Sequence, residues 1–459
     1  MTQTAPATAA ATTPIGPRHL APRRGLPLVG SALEAWRDPL ALFLDSLRSQ
    51  SMARFRFFYL DYFVVNDPEA IAHVLVKNVA NYEKSRNYIG LKTVLGNGLL
   101  TSEGDHWRKQ RRLAQPAFHR EKIAGFAATM ARCTEEHLAS WSNDASFDAH
   151  EQMMALTFRI VGLTLMSRDF QGEASSVGQA LGVALSWAND YAESPIRIPP
   201  WVPTPANRAF RRAKEKLDSI VLTAIAERRA SGEERDDLLG LFLGATDEET
   251  GAKMSDQELK EELLTMVLAG HETTANSLAF TLYLLAKNPE VRDALEAQVD
   301  RELGDAAPGA DVLSRVPLAR AVCEESLRLY PPAWVFERQA KADDVVGGHH
   351  VPRGAIVAVS PYALHRRPGT FPDPERFDPS RFDESRRKSV GKYDYLPFGG
   401  GPRLCIGNAF ALMEMAIVLS MIVRRYRVEV APGFSMAPEP ETTLRPRGGV
   451  PVTVHPRRR

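Results

Sequence analysis

One stretch constrains the fold of this chain more than any other: residues 255–287 read as a single long helix that must be buried on every side. Ser255 followed by Glu258 makes a Ser-x-x-Glu capping box at its start. Leu259, Leu263, Leu264, Met266, Val267 and Leu268 then set apolar side chains around the whole circumference, and the pattern runs on to Ala286. Asn288-Pro289 closes it, with Asn288 capping the next helix and proline at that helix's first position. At ~1.5 Å per residue the helix is roughly 48 Å long. A helix of that length with no polar face needs other helices around it. Strand signals are few: 53–59 with 62–66 about a turn at Leu60-Asp61, 345–350 with 355–360 about Pro352-Arg353-Gly354, and 426–430 with 450–455. The expected class is mainly α with a small β region.

Inside the buried part of this helix lies Ala269-Gly270-His271-Glu272-Thr273-Thr274. A glycine in a helix interior costs about 1 kcal/mol, and an unpaired buried carboxylate far more. Two readings account for the pair. In one, Gly270 permits close helix packing and Glu272 escapes to solvent or to a basic partner. In the other, a small ligand sits in a groove against Gly270, Thr273 offers it a hydrogen bond and Glu272 relays protons. His271 is given no role.

A second segment carries the chemistry. Phe398-Gly399-Gly400-Gly401-Pro402-Arg403-Leu404-Cys405-Ile406-Gly407 places one thiol among glycines that let the backbone approach something flat and large. The apolar periodicity of Ala409, Leu412, Met413, Ala416, Ile417 and Ile422 predicts a helix opening just after Cys405. Its free N–H groups and dipole favour a thiolate. A thiolate with room for a planar partner is what haem ligation through cysteine requires. The spacing Phe-x-x-Gly-x-Arg-x-Cys-x-Gly resembles the haem-binding loop of the cytochrome P-450 family, the haem-thiolate monooxygenases.

That resemblance implies one haem b with Cys405 as its metal ligand, in a loop that includes Phe398 and Gly407. It implies that Glu272 and Thr273 are the catalytic acid–alcohol pair delivering protons to dioxygen. Glu325, Arg328 and Arg376 match the family's structural charged triad, and Trp107, Arg111, Arg338 and Arg403 its haem-propionate clamp. Trp107 and Arg111, four apart, share a helix face. His365 is a further candidate for a propionate. Arg403 departs from members with histidine there, and both types can serve a carboxylate. The implied reaction inserts one atom of dioxygen into an apolar organic substrate, by hydroxylation or epoxidation, with lipids, terpenoids, steroids and polyketides all admissible. Electrons would come from a separate ferredoxin or flavodoxin with its reductase. The basic residues Arg108, Lys109, Arg112 and 385–388 are candidates for that partner's docking surface. Two alternatives stay open: a haem-thiolate isomerase, dehydratase or peroxygenase, which often lacks the acid–alcohol pair, and a non-catalytic haem-based sensor needing only Cys405.

The remaining features fit this outline. No linker divides the 459 residues after position 20, so 21–459 are expected to form one domain behind a disordered tail of residues 1–20. A net charge of +1 leaves no electrostatic footprint for nucleic acid. The cysteines, Cys133, Cys323 and Cys405, do not make a disulfide framework, which points to a reducing compartment. With no signal-peptide pattern and no run of ~18 apolar residues, a cytoplasmic monomer without a membrane anchor is expected. Substrate walls are expected at 88–94, 186–196, Ala269, Thr273, 333–336 and 442–444; Trp334, Val335 and Phe336 suit an apolar ligand.

Overall fold

The computed structural model describes residues 18–48, 50–170, 174–194 and 196–457. Asp256–Lys287 forms the expected helix, 32 residues long. Ser255 caps it, and both halves of the capping box are made: Glu258 N donates to the Ser255 hydroxyl, and Ser255 N donates to the Glu258 carboxylate. Asn288 closes this helix and stands at the N-cap position of the next, where its carbonyl accepts from Arg292 N, but its side chain turns back, with Nδ2 donating to the Leu284 carbonyl at 2.7 Å.

Every residue from Glu262 to Leu268 is buried. Ala269, Gly270, Glu272 and Thr273 break the run, and burial resumes from Thr274 to Leu282. The break falls between two apolar cores. Leu263, Leu264 and Val267 pack with Phe158, Trp187 and Phe210, whereas Leu278, Ala279 and Leu282 pack with Val322, Ile417 and Leu419. Each such leucine contributes about 1.5–3 kcal/mol by leaving water. Helices Ala149–Met166, Pro205–Ser231, Pro317–Leu329 and Asn408–Arg425 surround the central one. Where neither core closes over the helix, a cavity opens.

The β structure is small. Its largest sheet has five strands in the order Met52–Phe57, Leu60–Val65, Ile356–Val359, Phe336–Ala340 and Tyr82–Lys84. Only the contact between Leu60–Val65 and Ile356–Val359 is parallel. The first hairpin turns at Phe58-Tyr59 rather than Leu60-Asp61, since Phe57 pairs with Leu60. Residues 345–360 also differ from expectation. Gly347-Gly348, both at positive φ, close a hairpin between Asp344–Val346 and His349–Val351, and Ile356–Val359 leaves for the large sheet. A Gly-Gly pair suits the left-handed turn a two-residue hairpin needs, and it overrides the later Pro-Arg-Gly signal. The expected last pair forms between Tyr426–Val430 and Pro451–Pro456.

Of the expected tail, residues 1–17 lie outside the described residues, but Arg18–Leu20 are ordered against the sheets. Arg18 N donates to Gly348 O at 3.0 Å, and the Leu20 carbonyl accepts from Arg54 at 3.0 Å. Among the described residues no helix is long and apolar enough to cross a membrane.

Candidate active site

The cavity holds about 1300 Å³ and separates Ala269, Gly270 and Thr273 of the central helix from Phe398, Cys405 and Gly407 of the glycine-rich loop. The loop is closed by Cys405 N donating to Phe398 O at 3.0 Å. Gly401 has φ +68°, and a Cβ there would stand 2.3 Å from the Leu75 carbonyl oxygen, so only glycine fits. The helix Asn408–Arg425 starts where predicted. Cys405 is exposed, and the space it faces is the cavity. Burial pushes its thiol pKa up; the Gly407 N–H and the Arg111 guanidinium oppose this without reversing it. The expected pull of the helix start is therefore present, but desolvation outweighs it. Cys133 and Cys323 are fully buried, and burial pushes Cys133 up to about 11, as befits inert core thiols.

All seven residues expected to hold a cofactor line this cavity: Trp107, Arg111, Arg338, Phe398, Arg403, Cys405 and Gly407. Arg403 lies over the Trp107 ring, its Cζ 3.9 Å from the ring centre, donates to Ser102 O at 2.9 Å and pairs with Glu103. Burial brings its pKa down to about 10. Arg338 sits opposite Lys84 in the sheet register. Lys84 also lines the cavity, and burial together with Arg338 and Arg403 drives its pKa well down. Sequence reasoning missed Lys84, because a lysine in a three-residue strand carries no signal of burial. Arg111, also in the cavity wall, donates from Nη1 to Leu404 O at 3.0 Å, beside the cysteine, and from Nε to Gln115. His365 does not reach the cavity. Its Nε2 accepts from Leu396 N at 2.8 Å while Nδ1 faces the Arg328 carbonyl, and burial keeps it neutral.

The charged triad needs one correction. Arg328 and Glu325, both fully buried, pair through two bonds of 2.7 and 2.8 Å. Arg376 contributes only its backbone carbonyl, to Arg328 Nη2 at 3.1 Å, and its side chain is exposed. The third charged partner is Arg381, whose Nε lies 3.4 Å from Glu325 Oε1. The 3-10 turn Pro379–Phe382 packs on the helix Pro317–Leu329 and carries Arg381 inward, which spacing alone does not reveal.

On the central helix, Thr273 lines the cavity, and its hydroxyl donates to Ala269 O at 2.6 Å. Glu272 does not line it. Its Oε1 accepts from the Thr443 hydroxyl at 2.5 Å, Oε2 is buried with no hydrogen-bond partner among the described residues, and burial raises its pKa. His271 packs edge-on against Phe158, consistent with no chemical role. The predicted walls at Tyr88, Leu91, 188–190, 192–194, Ala333–Phe336 and Thr442-Thr443 line the cavity, whereas Val94 and Leu444 are buried away from it. Five of the basic residues expected to face a partner form ion pairs within the chain: Arg108 with Asp105, Lys109 with Glu258, Arg112 with Asp247, Arg386 with Asp378 and Arg387 with Glu324.

These residues fit a haem. Among the described residues no three His, Cys, Asp or Glu side chains converge to hold a bare metal ion. A lone thiol facing a deep cavity suits a metal whose other donors arrive with a planar macrocycle. Lys84, Arg338 and Arg403 repel one another, Glu103 offsets only part of this, since the pKa values of Lys84 and Arg403 stay lowered, and a macrocycle's carboxylates would supply further anions.

Comparison with known proteins agrees. A family model described as cytochrome P-450 matches residues 20–454. Cyclooctatin synthase of Streptomyces melanosporofaciens is 38% identical over 431 residues, covering 93% of this chain and 94% of the relative. Cyclooctat-9-en-7-ol 5-monooxygenase of the same organism is 36% identical over 413 residues, 90% of each chain. Pentalenene oxygenase of Streptomyces avermitilis is 31% identical over 437 residues, 94% of each. The crystal structure of a cytochrome P450DA heme domain superposes with a TM-score of 0.86 at 28% identity, covering 96% of this chain and 99% of that one.

Proposed function

The chain belongs to the cytochrome P-450 family, and on that premise we propose that residues 21–459 act as one monooxygenase domain on an apolar, terpenoid-like substrate. The protein is an oxidoreductase that carries haem b and uses dioxygen, an organic substrate and electrons from a redox partner. Overall, substrate, dioxygen, two electrons and two protons give oxygenated product and water. The observation that carries the reading is that Cys405 and Thr273 line a single cavity whose wall also holds Lys84, Arg338 and Arg403.

Bound through Cys405, the haem supplies reductive activation of dioxygen and transfer of one oxygen atom. The protein supplies the rest. Cys405 would be the donor, and the Gly407 N–H and Arg111 offset part of the burial that disfavours its charged form. Lys84, Arg338 and Arg403 would hold the propionates, and the contact with the Trp107 ring fixes the Arg403 guanidinium. Thr273 presents a hydroxyl to the cavity, and Glu272, one residue away, is the acid assigned to relay protons, its pKa raised by burial. Leu91, Val161, Leu165, Leu268 and Val335 exclude water and suit hydrocarbon.

Two relatives are named for acting on pentalenene and cyclooctat-9-en-7-ol, which supports a terpenoid-like substrate. We assign electron supply to a ferredoxin or flavodoxin with its reductase. Three unpaired cysteines suit a reducing, cytoplasmic setting, and we read the chain as a monomer.

Reduced protein under carbon monoxide is expected to show the Soret shift of thiolate ligation, and Cys405→Ser to lose it. With NAD(P)H, a surrogate ferredoxin and its reductase, cyclooctat-9-en-7-ol should be oxygenated with product and NAD(P)H consumption coupled. Thr273→Ala should release several-fold more peroxide per product. Turnover that needs no reductant, or haem binding without the thiolate signature, would overturn the reading.

A further inference from the structure

Glu272 is held by a chain of side chains that ends on another helix. His150, at the start of the helix Ala149–Met166, has Nε2 2.7 Å from Asn276 Oδ1. Asn276 Nδ2 donates to Thr443 Oγ1 at 3.1 Å, and Thr443 Oγ1 donates to Glu272 Oε1 at 2.5 Å. With the proton on His150 Nε2, all three bonds run in one sense, toward the carboxylate. Asn276 lies one helical turn beyond Glu272, so Thr443 bridges two turns on the same face of the central helix. The amide of Asn276 has no proton to pass on without leaving its ordinary form, which makes the chain a brace and not a wire.

Thr443 is itself fixed. It sits between the strands Pro438–Pro440 and Leu444–Pro446, where Leu444 N donates to Pro332 O at 2.9 Å and the Trp334 indole N–H donates to Glu441 O at 2.8 Å. Thr443 lines the cavity and Glu272 does not. Glu272 Oε2, buried and without a hydrogen-bond partner among the described residues, leaves that bond as the contact fixing the carboxyl. Arg445 attracts Glu272 and Glu441 repels it, but the Arg445 guanidinium is bonded to Glu439 and Glu441.

We propose that Thr443, braced by Asn276 and His150, is a positioning residue that sets the orientation of the Glu272 carboxyl from the cavity wall. The inference rests on Glu272 being the proton-bearing acid of the proposed reaction. A substrate that reaches Thr443 then acts on the acid without touching it.

The test is a set of variants of the haem-loaded enzyme: Thr443→Val, Thr443→Ser, Asn276→Leu, Glu272→Gln and the double variant Thr443→Val/Glu272→Gln. Two readouts are used, peroxide per product with cyclooctat-9-en-7-ol, and the urea midpoint without turnover across pH 5–8. Thr443→Val should raise peroxide per product several-fold, Asn276→Leu should do the same, and Thr443→Ser should restore the wild-type ratio. The pH dependence of the midpoint should change in Thr443→Val. That change should vanish in the Glu272→Gln background, where no carboxyl titrates; Asp148, Glu151, His271 and Arg445 around His150, and Glu441 near Glu272, are common to both backgrounds. Additive effects in both readouts would overturn the inference and leave Thr443 as a wall residue. If Glu272→Gln leaves coupling unchanged while the midpoint effects stay non-additive, the proton role of Glu272 fails and the Thr443–Glu272 brace stands.

Discussion

Arg381, and not Arg376, stands against the buried Glu325 carboxylate, with Nε 3.4 Å from Oε1. Arg328 takes both carboxylate oxygens and also donates to the carbonyls of His365, Pro374 and Arg376. One buried guanidinium thus ties the helix Pro317–Leu329 to two stretches of chain that lead toward the cysteine loop. His365 continues the tie by accepting from Leu396 N, two residues before Phe398.

The two arginines should therefore separate on substitution. Arg376→Ala removes an exposed side chain and keeps the carbonyl, so it should change stability by about 0.5 kcal/mol or less. Arg381→Ala is expected to cost about 1–3 kcal/mol, because Glu325 loses a buried counter-charge. Glu325→Ala leaves Arg328 uncompensated and should cost about 3–5 kcal/mol. Urea midpoints and haem content of the purified variants measure this. Equal losses from Arg376→Ala and Arg381→Ala would refute the assignment.

Two glycines beside the cavity should also differ sharply. A Cβ at Gly401 meets backbone at 2.3 Å at a positive φ, whereas one at Gly270 meets only Val161 Cγ2 at 3.3 Å. Gly401→Ala should move the cysteine loop off Leu75 and abolish most haem incorporation, read as the Soret-to-protein absorbance ratio. Gly270→Ala should fold and load normally while narrowing the groove on the central helix. A normal Soret ratio for Gly401→Ala would show that the loop has room to yield.

What could be read in the sequence was what costs free energy locally. Gly270 beside Glu272 in an all-apolar helix, and glycines around Cys405, are expensive or special wherever they occur, so they marked the site before any fold was known. Contacts set by distant chain were not legible. Thr443 lies 171 residues from Glu272, and no local pattern pairs them. Arg376 and Arg381 share one irregular loop, where spacing does not say which faces inward. Lys84 reads as a surface lysine until the sheet sets it opposite Arg338. The first hairpin slipped because alternating aromatics fix which residues share a face, and not where the chain turns.

The cationic edge of the cavity predicts graded haem retention. Arg403 combines charge with the Trp107 stack, so Arg403→Leu should raise the haem dissociation rate more than Lys84→Met does, by about 10-fold or more for one charge-assisted bond. Arg403→Lys keeps the charge but loses the guanidinium over the Trp107 ring and should fall between wild type and Arg403→Leu. Transfer of haem to excess apomyoglobin gives the rates. An unchanged rate in Arg403→Leu would exclude it from the propionate contact.

Glu262 gives a pH prediction of definite sign. It is fully buried on the central helix, where Leu99 N donates to its Oε2 at 3.1 Å and Oε1 has no hydrogen-bond partner among the described residues. Burial, with Glu261 and Glu258 nearby, pushes its pKa up to about 8. The folded protein therefore keeps this proton where the unfolded chain, with an ordinary carboxyl near 4.5, has released it. Its contribution to stability is full below about pH 4.5 and is lost progressively as pH rises toward 8, a change on the order of 3–5 kcal/mol. Glu262→Gln removes the titration and keeps an acceptor for Leu99 N. Its urea midpoint should match that of wild type near pH 5 and exceed it increasingly up to pH 8. Parallel curves for the two proteins would mean that Glu262 is already ionised in the fold.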